Sequence, residues 1–108
     1  MQARFVNNGE SVTVKADKNI AYGDLVKIGD ELVGVAMMNI LKGETGTVAI
    51  KGAFEVLKAK VGLKAGQSVY FKAADGNVTA TDSDGPKLGI TLQEAKTEAP
   101  TVVVKLVG

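Results

Sequence analysis

Apolar and polar positions alternate over many short stretches of this chain, and no stretch keeps a helical period for eleven residues or more. Ser11 to Lys15 reads Ser-Val-Thr-Val-Lys, the period of a half-buried strand. Leu25–Ile28, Ser68–Lys72, Asn77–Thr81, Lys87–Leu92 and Thr101–Val107 give further short strands. Leu32–Met38 is apolar nearly throughout. That pattern fits a strand covered on both faces, or one covered on its outer face by a neighbouring subunit. Thr47–Lys51 continues past Gly52 into Phe54 and Val56 at the same parity, which reads as one strand interrupted at Gly52 by a bulge or a close backbone approach. On that parity Val48, Ile50, Phe54 and Val56 are core, facing Val102, Val104 and Leu106.

Turn signals separate these runs: Asn7-Asn8-Gly9, Gly29-Asp30-Glu31, Lys42–Gly46 and Asp75-Gly76-Asn77. Pro100 stands at the threshold of the last strand, where a missing N–H is tolerable. Helix is expected only as single turns, near 58–63 or 93–99. The pattern therefore predicts an all-β fold, a compact barrel or sandwich of short, mostly antiparallel strands, formed by residues 1–108 as one domain. Residues 1–10 are either an N-terminal arm or the first edge strand.

A weak internal duplication is visible. Val33-Gly34-Val35 begins fourteen residues before Thr47, and Leu88-Gly89-Ile90 begins thirteen before Thr101. Gly23-Asp24-Leu25-Val26 precedes the first pair and Gly66-Gln67-Ser68-Val69 the second. Two similar halves would then close one barrel or sandwich.

Composition narrows the chemistry. There is no cysteine and no histidine, so disulfides, thiolate metal sites and the commonest general base are excluded. Basic and acidic residues nearly cancel, at 13 and 12, and the balance holds along the chain. No long-range field favours nucleic acid or an anionic membrane. The opening residues show neither a signal peptide nor a membrane-spanning segment.

The glycines and lysines of Gly43–Lys58 lack the spacing of a phosphate loop, since Lys51 is followed by Gly52. Lys51 also lacks the hairpin-tip setting of a cofactor-carrying lysine. Asp82-Ser83-Asp84-Gly85 opens like a calcium loop but runs on into Pro86 and a strand, without the later ligands. An enzyme, a cofactor and a metal are accordingly not expected. Tyr70 and Phe71 point to opposite strand faces, as do Met37 and Met38; the outward methionine is a candidate subunit contact.

Gly23-Asp24-Leu25-Val26, Leu32–Ala36 and above all Gly43-Glu44-Thr45-Gly46 through Phe54-Glu55-Val56 carry a resemblance. So do Gly66-x-x-Val69-Tyr70, Gly76-Asn77, Leu88-Gly89 and Thr101–Leu106. Together they resemble a family of small bacteriophage and prophage proteins, the domain of unknown function numbered 2190, whose members serve as capsid cement or head decoration proteins. The resemblance implies a non-enzymatic structural virion protein on the outer capsid surface, made in the bacterial host cytoplasm during assembly. It implies the major capsid protein and further copies of the chain, most plausibly in a trimer, as partners. Nucleic acid, membrane and small-molecule substrates are not implied. The candidate partner-binding residues are Arg4 and Phe5 near the terminus, with Met37 and Met38. The alternative is a small β-barrel adaptor or carrier domain in the bacterial host.

Overall fold

A computed structural model describes Ala3, residues 10–29 and residues 31–106. Among these residues, nine strands form two antiparallel sheets. The first sheet holds β1 (Ser11–Lys15), β2 (Leu25–Ile28), β3 (Leu32–Ala36) and β4 (Thr45–Ala49) in the order β1-β4-β3-β2. The second holds β5 (Ala53–Leu57), β6 (Ser68–Lys72), β7 (Asn77–Thr79), β8 (Lys87–Thr91) and β9 (Thr101–Leu106) in the order β5-β9-β8-β6-β7. The all-β expectation holds.

The sheet orders make the duplication concrete. With β7 set aside, β5, β9, β8 and β6 repeat the positions of β1, β4, β3 and β2. Registers repeat too. Val26 faces Gly34 and Val69 faces Gly89; Ala36 faces Val48 and Thr91 faces Val104. Val12 faces Val48 just as Phe54 faces Val104.

Gly34 and Gly89 show why the repeat keeps a glycine there. A Cβ on Gly34 would run into Ala49 O and Val48 Cγ1; one on Gly89 would run into Lys105 O and Val104 Cγ1. These are equivalent neighbours in the two halves. The strand can approach its partner this closely only without a side chain.

The halves share part of their packing. Val33 and Val35 of β3 join Val56, Val69, Phe71, Val78, Leu88, Val102, Val104 and Leu106 in the larger core. The opposite face of the first sheet packs a smaller one, from Ala16, Ile20, Ala36, Ile40 and Val48. The strand β3 is therefore covered on both faces within one chain, the first of the two readings its apolar sequence allowed.

Three expectations need correction. The run from Thr47 to Val56 is not one bulged strand. It is β4 and β5, in different sheets, joined through a bend in which Gly52 has φ +116°. Parity does not carry across such a crossover. Val48 and Val56 are buried with the three residues of β9, but Ile50 and Phe54 are only half-buried. Helix is found at neither expected place; the one short 3-10 turn among the described residues is Asp82–Asp84. Residues 58–63 and 93–99 instead form loops tied by a Leu63–Ala95 bridge, in which the two N–H groups bond across to the other loop rather than within a helical turn. Finally, Met37 and Met38 are both exposed, at 41% and 44%. Strand β3 ends at Ala36, so the alternation that would have turned one methionine inward stops before it begins.

Candidate interaction surface

At one end of each half, two turns lock together. In the first half, Ile20 and Ile40 exchange N–H to C=O bonds, both 2.8 Å. In the second, Leu63 and Ala95 do the same at 2.8 Å. Gly23, at φ +87°, donates from its N–H to Ala36 O, and Gly66, at φ +78°, donates to Thr91 O. The left-handed conformation at these positions is why both turns carry glycine.

The locks differ in their side chains. Asn19 Oδ1 accepts from Lys42 N at 2.9 Å, while Asn39 Oδ1 accepts from Tyr22 N at 2.8 Å. Each turn of the first pair is thus held by an asparagine beside the other. Gly62 and Glu94 occupy the corresponding places in the second pair, and the work passes to Thr91. Its Oγ1 accepts from Gln67 N at 2.9 Å and donates to Lys64 O. The interior is also filled differently. Gly46 lies against the Ile40 side chain, with no room for a Cβ. The corresponding pair in the second half, Val102 and Ala95, reverses the sizes.

This geometry gives the first turn pair its surface. The Ile20–Ile40 bridge brings the two turns together, and Tyr22, Met37, Met38 and Leu41 are the exposed large apolar residues on and beside them. Tyr22 is 68% exposed and Leu41 56%. The corresponding positions of the second pair are Ala65, Leu92, Gln93 and Lys96, of which only Leu92 is a large exposed apolar residue. Four exposed bulky apolar side chains on one bridged pair of turns make these turns the candidate surface for protein contact.

Of the residues singled out by sequence, Met37 and Met38 fall in this patch. Arg4 and Phe5 lie outside the described residues. Sequence reasoning missed Tyr22 and Leu41 as members, since each sits in a polar-looking turn. The signal was the matching Asn-Ile-x-x-Gly of Asn19–Gly23 and Asn39–Gly43, which shows that the two turns are alike and therefore could pair.

Other candidates resolve into structural roles. Asp84 Oδ2 accepts from Thr79 Oγ1 at 2.7 Å, so the calcium-like segment braces β7. No group of three or more potential metal ligands occurs among the described residues. Lys51 is exposed in the bend between the sheets. A groove of about 600 Å³ lies between β2 and β5. Two of its carboxylates are engaged locally: Asp24 Oδ2 accepts from Ala21 N, and Glu55 Oε2 from Thr101 Oγ1. Lys58 is buried and donates to Ala59 O at 2.9 Å and Thr97 O at 3.2 Å, holding the second turn pair onto β5. No helix among the described residues is long and apolar enough to cross a membrane.

The fold and its surface define a small all-β protein with a surface suited to protein contact. The chain belongs to the phage cement proteins, whose sequence profile matches residues 6–106. No curated protein and no solved structure matches it. It is thus a structural protein associated with the phage capsid.

Proposed function

We propose that the chain binds the outer surface of a phage or prophage shell, contacts the major capsid protein, and stabilises the lattice. The end of the first half bearing Tyr22, Met37, Met38 and Leu41 is turned toward that partner. The observation that carries this reading is the asymmetry of the turn pairs. One backbone arrangement occurs twice, and four exposed bulky apolar residues stand on one copy against one, Leu92, on the other. Apolar anchors buried at a contact centre provide most of its binding energy. Arg4 adds a charge-assisted pair with a shell carboxylate.

A trimer follows from the same reading, because three-fold lattice positions present three equivalent sites and a linked cluster binds them together. Linked weak contacts gain greatly over single ones. The protein is made in the host cytoplasm and resides on the virion. It acts without catalysis or cofactor.

Shells stripped of the protein provide the test. Wild-type chain should co-sediment with them. The folded variant Met37→Asp/Met38→Asp should bind at least about tenfold more weakly, the loss that corresponds to ~1.4 kcal/mol. Wild-type protein that stays in the supernatant would end the capsid-surface reading. Undiminished binding by the variant would move the contact to another face.

A further inference from the structure

The backbone around Met37 and Met38 is pinned while their side chains stay exposed. Strand β3 ends at Ala36. Beyond it, Met37 N donates to Thr47 O at 3.1 Å, Asn39 Oδ1 accepts from Tyr22 N at 2.8 Å, and Ile40 N donates to Ile20 O at 2.8 Å. Neither methionine is a member of either core. The second half repeats this backbone with different chemistry. Leu92 N donates to Val103 O at 2.9 Å, the counterpart of the Met37 bond. Leu92 and Gln93 therefore stand where Met37 and Met38 stand in the first half.

Sulfur sets these two residues apart from Tyr22 and Leu41 beside them. A thioether is apolar, polarizable and adaptable, which suits a protein contact. It is also the one apolar side chain that mild oxidation makes polar, as the sulfoxide. Leu92 and Gln93 offer no such centre, so the chemistry is confined to the first half's version of the repeat.

We propose that Met37-Met38 is an oxidation site that switches the first turn pair from a docking to a non-docking form; the inference rests on the function proposed above. The thioether sulfur attacks one oxygen of hydrogen peroxide. The S–O bond forms, the O–O bond breaks, and the other oxygen leaves as water with both protons. Sulfur gives up two electrons and the peroxide takes them. The product places a sulfoxide oxygen, a strong acceptor, on the apolar surface. Docking must then desolvate that oxygen, at a cost that a contact shaped for a thioether does not return. The fold is untouched, because both methionines lie outside the cores; oxidation of a core methionine would disrupt packing instead. The docked chain is protected, since the partner covers the sulfurs. Methionine sulfoxide reductases, supplied with a dithiol reductant, reverse the change.

The chain has no cysteine, so hydrogen peroxide meets no thiol. Trypsin releases Met37 and Met38 together in Ile28–Lys42 and Met1 apart in Met1–Arg4, which lets mass spectrometry assign the added oxygen. Full-length chain treated with peroxide should gain oxygen in Ile28–Lys42, keep its Tm, and co-sediment with stripped shells at least about tenfold more weakly. Reduction by the sulfoxide reductases should restore binding. Chain docked before treatment should keep Ile28–Lys42 unoxidised. The variant Met37→Leu/Met38→Leu keeps the apolar surface without sulfur and should bind equally before and after peroxide. Failure of Ile28–Lys42 to oxidise in the free chain would overturn the proposal. So would a fall in Tm on oxidation, undiminished binding by the oxidised chain, or loss of binding by the peroxide-treated leucine variant. Untreated wild-type chain that does not bind shells would instead end the capsid-surface reading, and this inference with it.

Discussion

The two halves share a backbone and differ in what they do with it. The second includes the extra strand β7, buries Val69 and Phe71 together with Val78, and presents Ala65, Gln93 and Lys96 with one bulky apolar residue, Leu92, at its paired turns. The first has Val26 and Ile28 half-covered and carries exposed Tyr22, Met37, Met38 and Leu41 on and beside its bridged turns. Equivalent positions thus separate into two kinds. Where strands approach, the residue is fixed by geometry and repeats, as at Gly34 and Gly89. Where turns meet solvent, it is free to diverge, and divergence there changes the exposed surface without altering the frame. On the proposed function, the second half serves as scaffold and the first as the face presented to a partner.

The sharpest way to break this comparison is at the paired glycines. Gly89→Ala drives a methyl into the Lys105 carbonyl, which belongs to a ladder strand and cannot swing aside as a side chain can. The expected cost is about 3 kcal/mol or more, among the large values for a single substitution. Gly34→Ala meets Ala49 O and Val48 in the same way and should be destabilising for the same reason. Denaturant unfolding measures both. A tolerated alanine at one position and not the other would show that the halves are equivalent in strand order but not in packing.

A smaller effect is expected where the halves solve one packing problem in opposite ways. Ile40→Ala should cost about 2–5 kcal/mol by opening a cavity, and Gly46→Val about 1–3 kcal/mol by overfilling the same space. The double variant reproduces the Ala95–Val102 arrangement of the second half. It should lose less than the sum of the two by about 0.5–3 kcal/mol, the coupling of residues that share one space. Strict additivity would mean that Ile40 and Gly46 do not occupy equivalent volume to Ala95 and Val102, and the size reversal would lose its meaning.

How much of this was legible beforehand depends on the length of chain over which a pattern has to act. Strands of four or five residues declare themselves by alternation, and Ser11–Lys15, Leu25–Ile28 and Ser68–Lys72 begin and end where the sequence places them. The duplication was visible as spaced glycines because Gly34 and Gly89 are demanded by backbone approach. The passage from β4 to β5 was not, since alternation on either side of Gly52 happens to share a parity while the chain changes sheet. Ile50 and Phe54 were misplaced for that reason, and Phe54, half-buried, is a lesser core residue than its strand pattern suggests. The patch escaped because it is made by pairing two turns twenty residues apart in sequence. Only Met37 and Met38, adjacent and unusual, stood out, and even there the end of β3 at Ala36 decided their orientation.

The smallest effect tests the device peculiar to the first half. Asn19 and Asn39 each accept one backbone N–H from the opposite turn, and both groups sit at an exposed end where water can replace the lost partner. Replacing either by alanine should therefore cost only about 0.5–1.5 kcal/mol, the net value of an ordinary hydrogen bond. Global stability is a blunt readout at that size, and amide exchange followed by NMR is more direct. Asn19→Ala should speed exchange at Lys42, and Asn39→Ala at Tyr22. If each acts only locally, the turns are two independent locks. If either variant exposes both amides, the pair opens as one unit about the Ile20–Ile40 bridge, and Tyr22, Met38 and Leu41 move together. The second half, whose lock runs through the buried Thr91 hydroxyl instead, should show no change in exchange at Gln67 in either variant. A change there would mean that the two ends are coupled through β3 and β8, and that scaffold and binding face are not separable.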